Sequence, residues 1–245
     1  MDILKFTLTG KTAFFKKPEV NSYYYFTYGS IHKVALLGLF GAVLGLNGYG
    51  QREEKSKEYA EFYEKLHHMK VSIAPNAKDG YIPKKMQIFN NTVGYASKEQ
   101  GGTLNIKQQW LENPSWDICF VIEDPITRQL ANKLLNRQTT YIPYLGSNDH
   151  LADITNVQEF NQIDPLSKCL RIHSLYEKEK VQYMEYDEYE DNMKERIFLY
   201  EEELPVALDA ILHLYQLKEF AASNIPIKQY KDEVFLIGGK NVVFF

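Results

Sequence analysis

The side chains that could do chemistry in this chain are six histidines, two cysteines and 32 carboxylates. Their spacing gives little support to catalysis or metal binding. His67 and His68 are adjacent, so on a helix they point in different directions, and no acidic or cysteine partner stands at ligand spacing. Cys119 and Cys169 form no CxxC pair, so neither a zinc site nor a disulfide framework is indicated. His150 follows Asp149, but a triad also needs a placed nucleophile. Glu201 to Glu203 read as a solvated charge run. The phosphate-binding, dinucleotide, zinc-protease and hydrolase motifs GxxxxGK[ST], GxGxxG, HExxH and GxSxG are absent.

Two stretches carry a different chemistry. Between Lys11 and Lys33 the chain places Lys16, Lys17, His32 and Lys33 around the run Tyr23-Tyr24-Tyr25-Phe26 and Tyr28. Cations meet phosphates and rings stack on bases, so this interleaving suits single-stranded nucleic acid. A core strand is the other reading of the YYYF run. Between 70 and 107, Lys70, Lys78, Lys84, Lys85, Lys98 and Lys107 face only Asp79 and Glu99. Short β-like pieces and turn signals there predict a basic hairpin reaching out from a sheet. The other reading is a plain edge hairpin whose lysines blunt aggregation.

The elements that must position these residues start with a strand at 3–9, which alternates Ile3, Phe6 and Leu8 with polar residues. From Val34 to Leu46 every residue is apolar or glycine. Gly38, Gly41 and Gly45 share one face of the predicted helix, which asks for something to approach that backbone closely. Residues 52–67 predict an amphipathic surface helix. A central strand at 116–122 precedes a helix capped by Asp124-Pro125, and the polar turn TYIPYLGSNDHLADI follows at 140–154. This alternation fits a split βαβ, ferredoxin-like core. Beyond 155, LRIHSLYE and KVQYMEYDEYE predict strands, PVALDAILHLYQL a helix, and EVFLIGGKNVVFF a hairpin turning at Gly238-Gly239.

Bulk properties narrow the setting. Hydrophobic content of 44% and charged content of 24% are those of a soluble globular protein. Residues 1–150 hold 18 Lys and Arg against 14 Asp and Glu, whereas 151–245 hold 10 against 18. A basic half and an acidic half suggest one face for a polyanion and another for a different partner. The apolar run 34–46 is too short to span a bilayer, and no signal peptide is evident at MDILKFTL. A reducing, cytoplasmic setting is expected.

The strand with its Gly10-Lys-Thr-Ala-Phe-Phe continuation, the loop FKKPEVNSYYYFTYGSIHK and the helix VALLGLFGAVLGL resemble the start of the CRISPR-associated "Cas five" family, nearest its type I-B branch. YIPYLGSNDHLADI is similar to that family's later proline–leucine–glycine turn. The resemblance covers about the first 155 residues well and the rest loosely. It implies an α+β fold: a ferredoxin-like, RRM-type RAMP core over 1–155, with an inserted thumb β-hairpin at about 70–107 and a β-rich acidic extension over 156–245.

The resemblance also implies a role. Such a subunit sits at one end of a Cascade effector complex, holds the 5′ handle of the crRNA, and meets the backbone subunit, the large subunit and, through the complex, target DNA. No cofactor, metal or membrane contact is implied. The expected handle site takes Lys16, Lys17, Tyr23, Tyr25, His32 and Lys33 with the glycine face at Gly38 and Gly41. Lys78, Lys84, Lys85 and Lys98 would serve from the thumb, and Gly146, Asn148 and His150 from the turn. The type I-C branch of the family cleaves precursor crRNA with a tyrosine, lysine and histidine set. Here His32-Lys33 lies away from that pair's place, so a non-catalytic role is favoured over a metal-independent endoribonuclease.

Overall fold

The computed structural model describes residues 1–19, 24–51, 58–185 and 195–245. In chain order the first elements are β1 (Ile3–Thr9), β2 (Thr12–Ala13), β3 (Tyr24–Tyr25), α1 (Lys33–Leu44), α2 (Glu61–Leu66) and β4 (Val71–Pro75). Then come β5 (Lys84–Asn90), β6 (Asn105–Glu112), β7 (Ser115–Val121), α3 (Pro125–Leu135) and β8 (Asp153–Phe160). The remainder is β-rich: β9 (Tyr176–Glu177), β10 (Val181–Tyr183), β11 (Leu199–Leu208), β12 (Tyr215–Ser223), β13 (Ile227–Tyr230), β14 (Phe235–Ile237) and β15 (Lys240–Val242).

The central sheet has the order β4-β7-β1-β8, with every neighbouring pair antiparallel. α1 connects β1 to β4 with β7 lying between those strands, and α3 connects β7 to β8 with β1 between. Each β-α-β unit is thus split by a strand of the other. One face of the sheet buries Leu4, Phe6, Leu8, Ile118 and Phe120 against α1 and α3. The Phe40 ring lies 6.2 Å from Phe6 and 5.4 Å from Phe120. Truncating so buried a ring costs about 3–5 kcal/mol. α3 starts as its sequence predicts: Asp124 accepts from the Thr127 N–H at 2.8 Å, with Pro125 in the first turn.

The outer edge of β4 is covered by Phe245, since Val71 and Phe245 exchange backbone N–H···O bonds at 3.2 and 3.0 Å. The principal core does not stop at residue 155. Leu175, Leu204, Leu208 and Phe220 belong to it.

Four expectations are corrected or redrawn. First, the stretch 70–107 is divided between two sheets. β4 is a central-sheet strand, because Val71, Ile73 and Ala74 are buried there, and the hairpin is β5 with β6, running from Lys84↔Leu111 to Asn90↔Asn105. Second, PVALDAILHLYQL is not helical: β11 and β12 pair across it from Leu199↔Ser223 to Leu208↔Tyr215. Its apolar spacing fits either structure. Asp209 decides, because its carboxylate accepts the Ile211, Leu212 and Leu214 N–H groups (3.0, 2.8 and 2.5 Å) and so fixes a turn. Third, only Tyr176–Glu177 of LRIHSLYE is strand. Fourth, of the predicted helix at 52–67 the structure shows α2, and residues 52–57 lie outside the described residues. Of KVQYMEYDEYE it shows β10, and residues 186–190 lie outside likewise.

Candidate nucleic-acid interface

The loop after β2 folds back on itself. Lys17 N–H donates to the Phe26 carbonyl (2.8 Å), Tyr28 N–H to the Phe15 carbonyl (2.9 Å), and Phe15 N–H to Thr27 Oγ1 (2.9 Å). This brings β3 alongside β6, with Tyr24 paired to Lys107 and Tyr25 to Gln108. Side chains two apart on a strand share a face, so Tyr24 and Phe26 emerge together, 42% and 38% exposed. Their rings stack at 6.5 Å with 12° between planes.

The cations sit where the rings are. Lys107 Nζ lies 4.8 Å over the Tyr24 ring and donates to its hydroxyl at 2.9 Å. Lys16 Nζ lies 4.4 Å over the Tyr25 ring. The Tyr24 and Phe26 rings thus make an exposed aromatic platform with the Lys107 ammonium beside it, able to stack bases and meet phosphates.

The predicted site residues divide. Lys16 and Tyr25 meet each other on the face of β3 opposite Tyr24 and Phe26, away from that pair. Tyr23 lies outside the described residues. Lys17 turns to Glu202 (2.8 Å) and lies 4.8 Å over Tyr28. Lys84 Nζ reaches the Thr27 carbonyl at 3.5 Å, and burial lowers its pKa. Lys85 lies 3.7 Å from Glu112. Lys78 and Lys98 are exposed, the first between β4 and β5 and the second in the connection beyond Asn90. Tyr24, Phe26 and Lys107 make up the platform. The signal for them was strand period two: the exposed pair is one residue out of register from Tyr23 and Tyr25.

The residues expected on the α1 side have structural duties. His32 is 3% exposed and caps α1, its Nδ1 accepting from the Ala35 N–H at 3.2 Å. Phe15, Tyr28 and Tyr215 enclose its ring. Burial drives its pKa down to about 3, so the imidazole is neutral. Lys33 donates to the Phe245 carbonyl at 3.1 Å, and burial, with Lys218 nearby, pulls its pKa down to about 8. Gly41 faces Phe62 of α2, whose Cβ would stand 2.6 Å from an added Cβ. The close approach that the glycines demand is made there by the protein itself.

In the proline–leucine–glycine turn, Asn148 is exposed. Gly146 has φ 93° and its backbone abuts the Phe14 carbonyl, so no side chain fits there. His150 is buried, with its Nδ1 2.6 Å from Thr12 Oγ1 and its ring against Trp110. That turn, α1 and the β11–β12 hairpin enclose a cleft of about 850 Å³, lined by Lys16, Ala35, Gly38, Tyr49, Tyr141 and Tyr215 among others. Lys16 thus lines the cleft rather than the platform. Among the described residues, no three His, Cys, Asp or Glu side chains converge as a metal site, and no helix is long and apolar enough to cross a membrane.

No family model and no curated protein matches the chain. Solved structures do. A chain of a "CRISPR RNA-guided surveillance complex" is similar over 91% of both chains, at 13% identity and a TM-score of 0.53. A CRISPR protein from Archaeoglobus fulgidus matches over 99% of this chain and 98% of its own, at 10% identity and a TM-score of 0.48. The first likeness defines the fold: this chain is an α+β protein of the architecture found in a subunit of an RNA-guided CRISPR complex.

Proposed function

We propose that this chain is a non-catalytic, RNA-binding subunit of a type I CRISPR Cascade complex, of the I-B branch, that holds the 5′ handle of the crRNA. The observation that carries the reading is the stacked, exposed pair Tyr24 and Phe26 with Lys107 over the ring, on a fold shared with a surveillance-complex chain. In this reading the split β-α-β sheet is a ferredoxin-like RAMP core, and β5–β6 is the thumb. Met86 and Ile88, both exposed on one face of β5, would pack on the backbone subunit. The buried, neutral imidazole of His32 supports a structural rather than a nucleolytic role.

The test is binding of a labelled, single-stranded, repeat-derived handle RNA in EDTA. Stacking contributes about 1–3 kcal/mol per base, so Tyr24→Ala with Phe26→Ala should weaken binding at least about tenfold. Lys107→Glu should weaken it most at low salt and flatten its salt dependence, and the RNA should stay intact. Unchanged affinity in the ring variants would refute the platform, and a discrete cut would refute the non-catalytic role.

A further inference from the structure

The cleft beside α1 is floored by α1 itself. Ala35, Gly38 and Ala42 stand three and four apart, so they share one face of the helix, and all three line the cleft. At Gly41 the fold makes the close approach that a small residue permits, through Phe62. At Gly38 it does not: an added Cβ would meet nothing nearer than a Phe62 ring atom at 3.9 Å. Val34 and Leu46 extend the apolar floor. Tyr141, Ile142 and Tyr144 wall it on one side, Leu208 and Tyr215 on the other. The 12 residues of α1 run about 18 Å, room for about five extended residues or about three turns of a second helix.

One end of the cleft is polar. His32 lines it there and is buried. Its Nδ1 is spent on capping α1, so the neutral ring carries its proton on Nε2. No oxygen or nitrogen of the described residues accepts that proton, so an acceptor brought by a partner would satisfy it. The same end holds the positive end of the α1 dipole. Lys16 joins it from the position after Phe15, whose ring packs 6.0 Å from that of His32. Lys16 is the one charged side chain among the described residues that line the cleft. This end therefore suits a carboxylate, and the rest suits aliphatic side chains. A nucleic-acid strand of that length would bring several phosphates to one cation and its bases to an aliphatic floor. We propose that the cleft seats an apolar segment of another protein along α1, with an acidic side chain of that segment held at His32 and Lys16.

The proposal rests on the complex-subunit reading only for the assembly in which the partner is sought. The tagged chain would be co-expressed with the other subunits and a repeat–spacer RNA, carrying photoreactive benzoylphenylalanine in place of Ile142, which is 73% exposed on the cleft wall. One protein subunit should cross-link, at an apolar segment that carries Asp or Glu. Gly38→Leu fills the cleft from its floor with a good helix former. It should cut recovery of that subunit at least about tenfold, with handle-RNA affinity unchanged and the melting temperature not lowered. His32→Asn keeps the cap but withdraws the Nε2 donor, and should lower recovery about threefold or more. Full recovery with Gly38→Leu, a wild-type assembly without a cross-link, or cross-links to RNA or to a second copy of this chain would overturn the proposal. A wild-type assembly of protein subunits lacking RNA would overturn the functional reading instead, with the cross-link still deciding the cleft. A wild-type chain that assembles with nothing overturns both.

Discussion

His32 shows how far a residue type alone can mislead. Beside Lys33 and a tyrosine-rich loop, a histidine invites a reading as an RNA ligand or a proton carrier. Its surroundings make it a neutral helix cap. Nothing in the local sequence says that Phe15, Tyr28 and Tyr215 will close around the ring, because Tyr215 lies 183 positions downstream. The consequence is measurable. Unfolded, this imidazole takes a proton near pH 6.5; folded, it resists until about pH 3. Between those values the unfolded state binds more protons, so stability falls as the pH is lowered. His32→Asn keeps an acceptor for the Ala35 N–H but does not titrate. It should flatten the slope of unfolding free energy between pH 6.5 and 4 by up to about 1.4 kcal/mol per pH unit, as read by urea melts at each pH. His150 and His173, whose pKa values burial also lowers, leave a residual slope. An unchanged slope would mean that His32 charges within the fold.

The elements were legible where local pattern and packing agree. The alternation of β1, the Asp124-Pro125 cap of α3 and the Gly238-Gly239 turn between β14 and β15 lie where the sequence predicts, whereas α1 stops at Leu44, short of the predicted Leu46, because Gly45 (φ 85°) leaves the glycine face to form the left-handed cap. They failed where one pattern serves two structures. PVALDAILHLYQL carries apolar residues at helical spacing, and only pairing with β12 and the turn at Asp209 resolves it as strand. The glycine face of α1 was legible as a demand for close approach but not as to what approaches. Gly41 and Gly38 separate the two possibilities. A Cβ at Gly41 would stand 2.6 Å from the Phe62 Cβ, against 3.9 Å to the nearest Phe62 atom at Gly38. Gly41→Ala should therefore destabilise by about 1–3 kcal/mol of overpacking, partly offset by helix propensity. Gly38→Ala meets only ordinary contact and should stabilise by about 0.5–1 kcal/mol. Opposite shifts in melting temperature for the two variants are the expected outcome. Equal shifts would show that α2 yields.

At the scale of the whole molecule, the charge split read from the sequence is partly spent inside the fold. Lys17 of the basic half pairs with Glu202 of the acidic half at 2.8 Å, and Lys240 reaches back to Asp117 of the central sheet at 2.8 Å. The second tie clamps the β14–β15 hairpin onto β7. Asp117 also meets Lys5 at 3.3 Å and accepts from Thr7 and Asn76, and its side chain is 11% exposed. Burial alone would raise its pKa, but the bonds from Lys240, Asn76 and Thr7 reverse that and hold it below the usual carboxylate range. Such a carboxylate stabilises the fold at pH values above its unfolded pKa, and the contribution fades as the pH falls through the folded one. Asp117→Asn leaves Lys5 and Lys240 near each other without their counter-charge. Breaking a buried pair in this way costs on the order of 3 kcal/mol, the low end for such sites because Lys240 is part-exposed. The loss should be largest at neutral pH and shrink as the pH falls below 3.8, where the unfolded chain takes up the proton that the folded carboxylate still resists. RNA affinity at 25 °C should be unaffected, because the tie holds the C-terminal hairpin and none of the platform residues. A loss that is independent of pH would mean that the hydrogen bonds, not the charge, make the clamp.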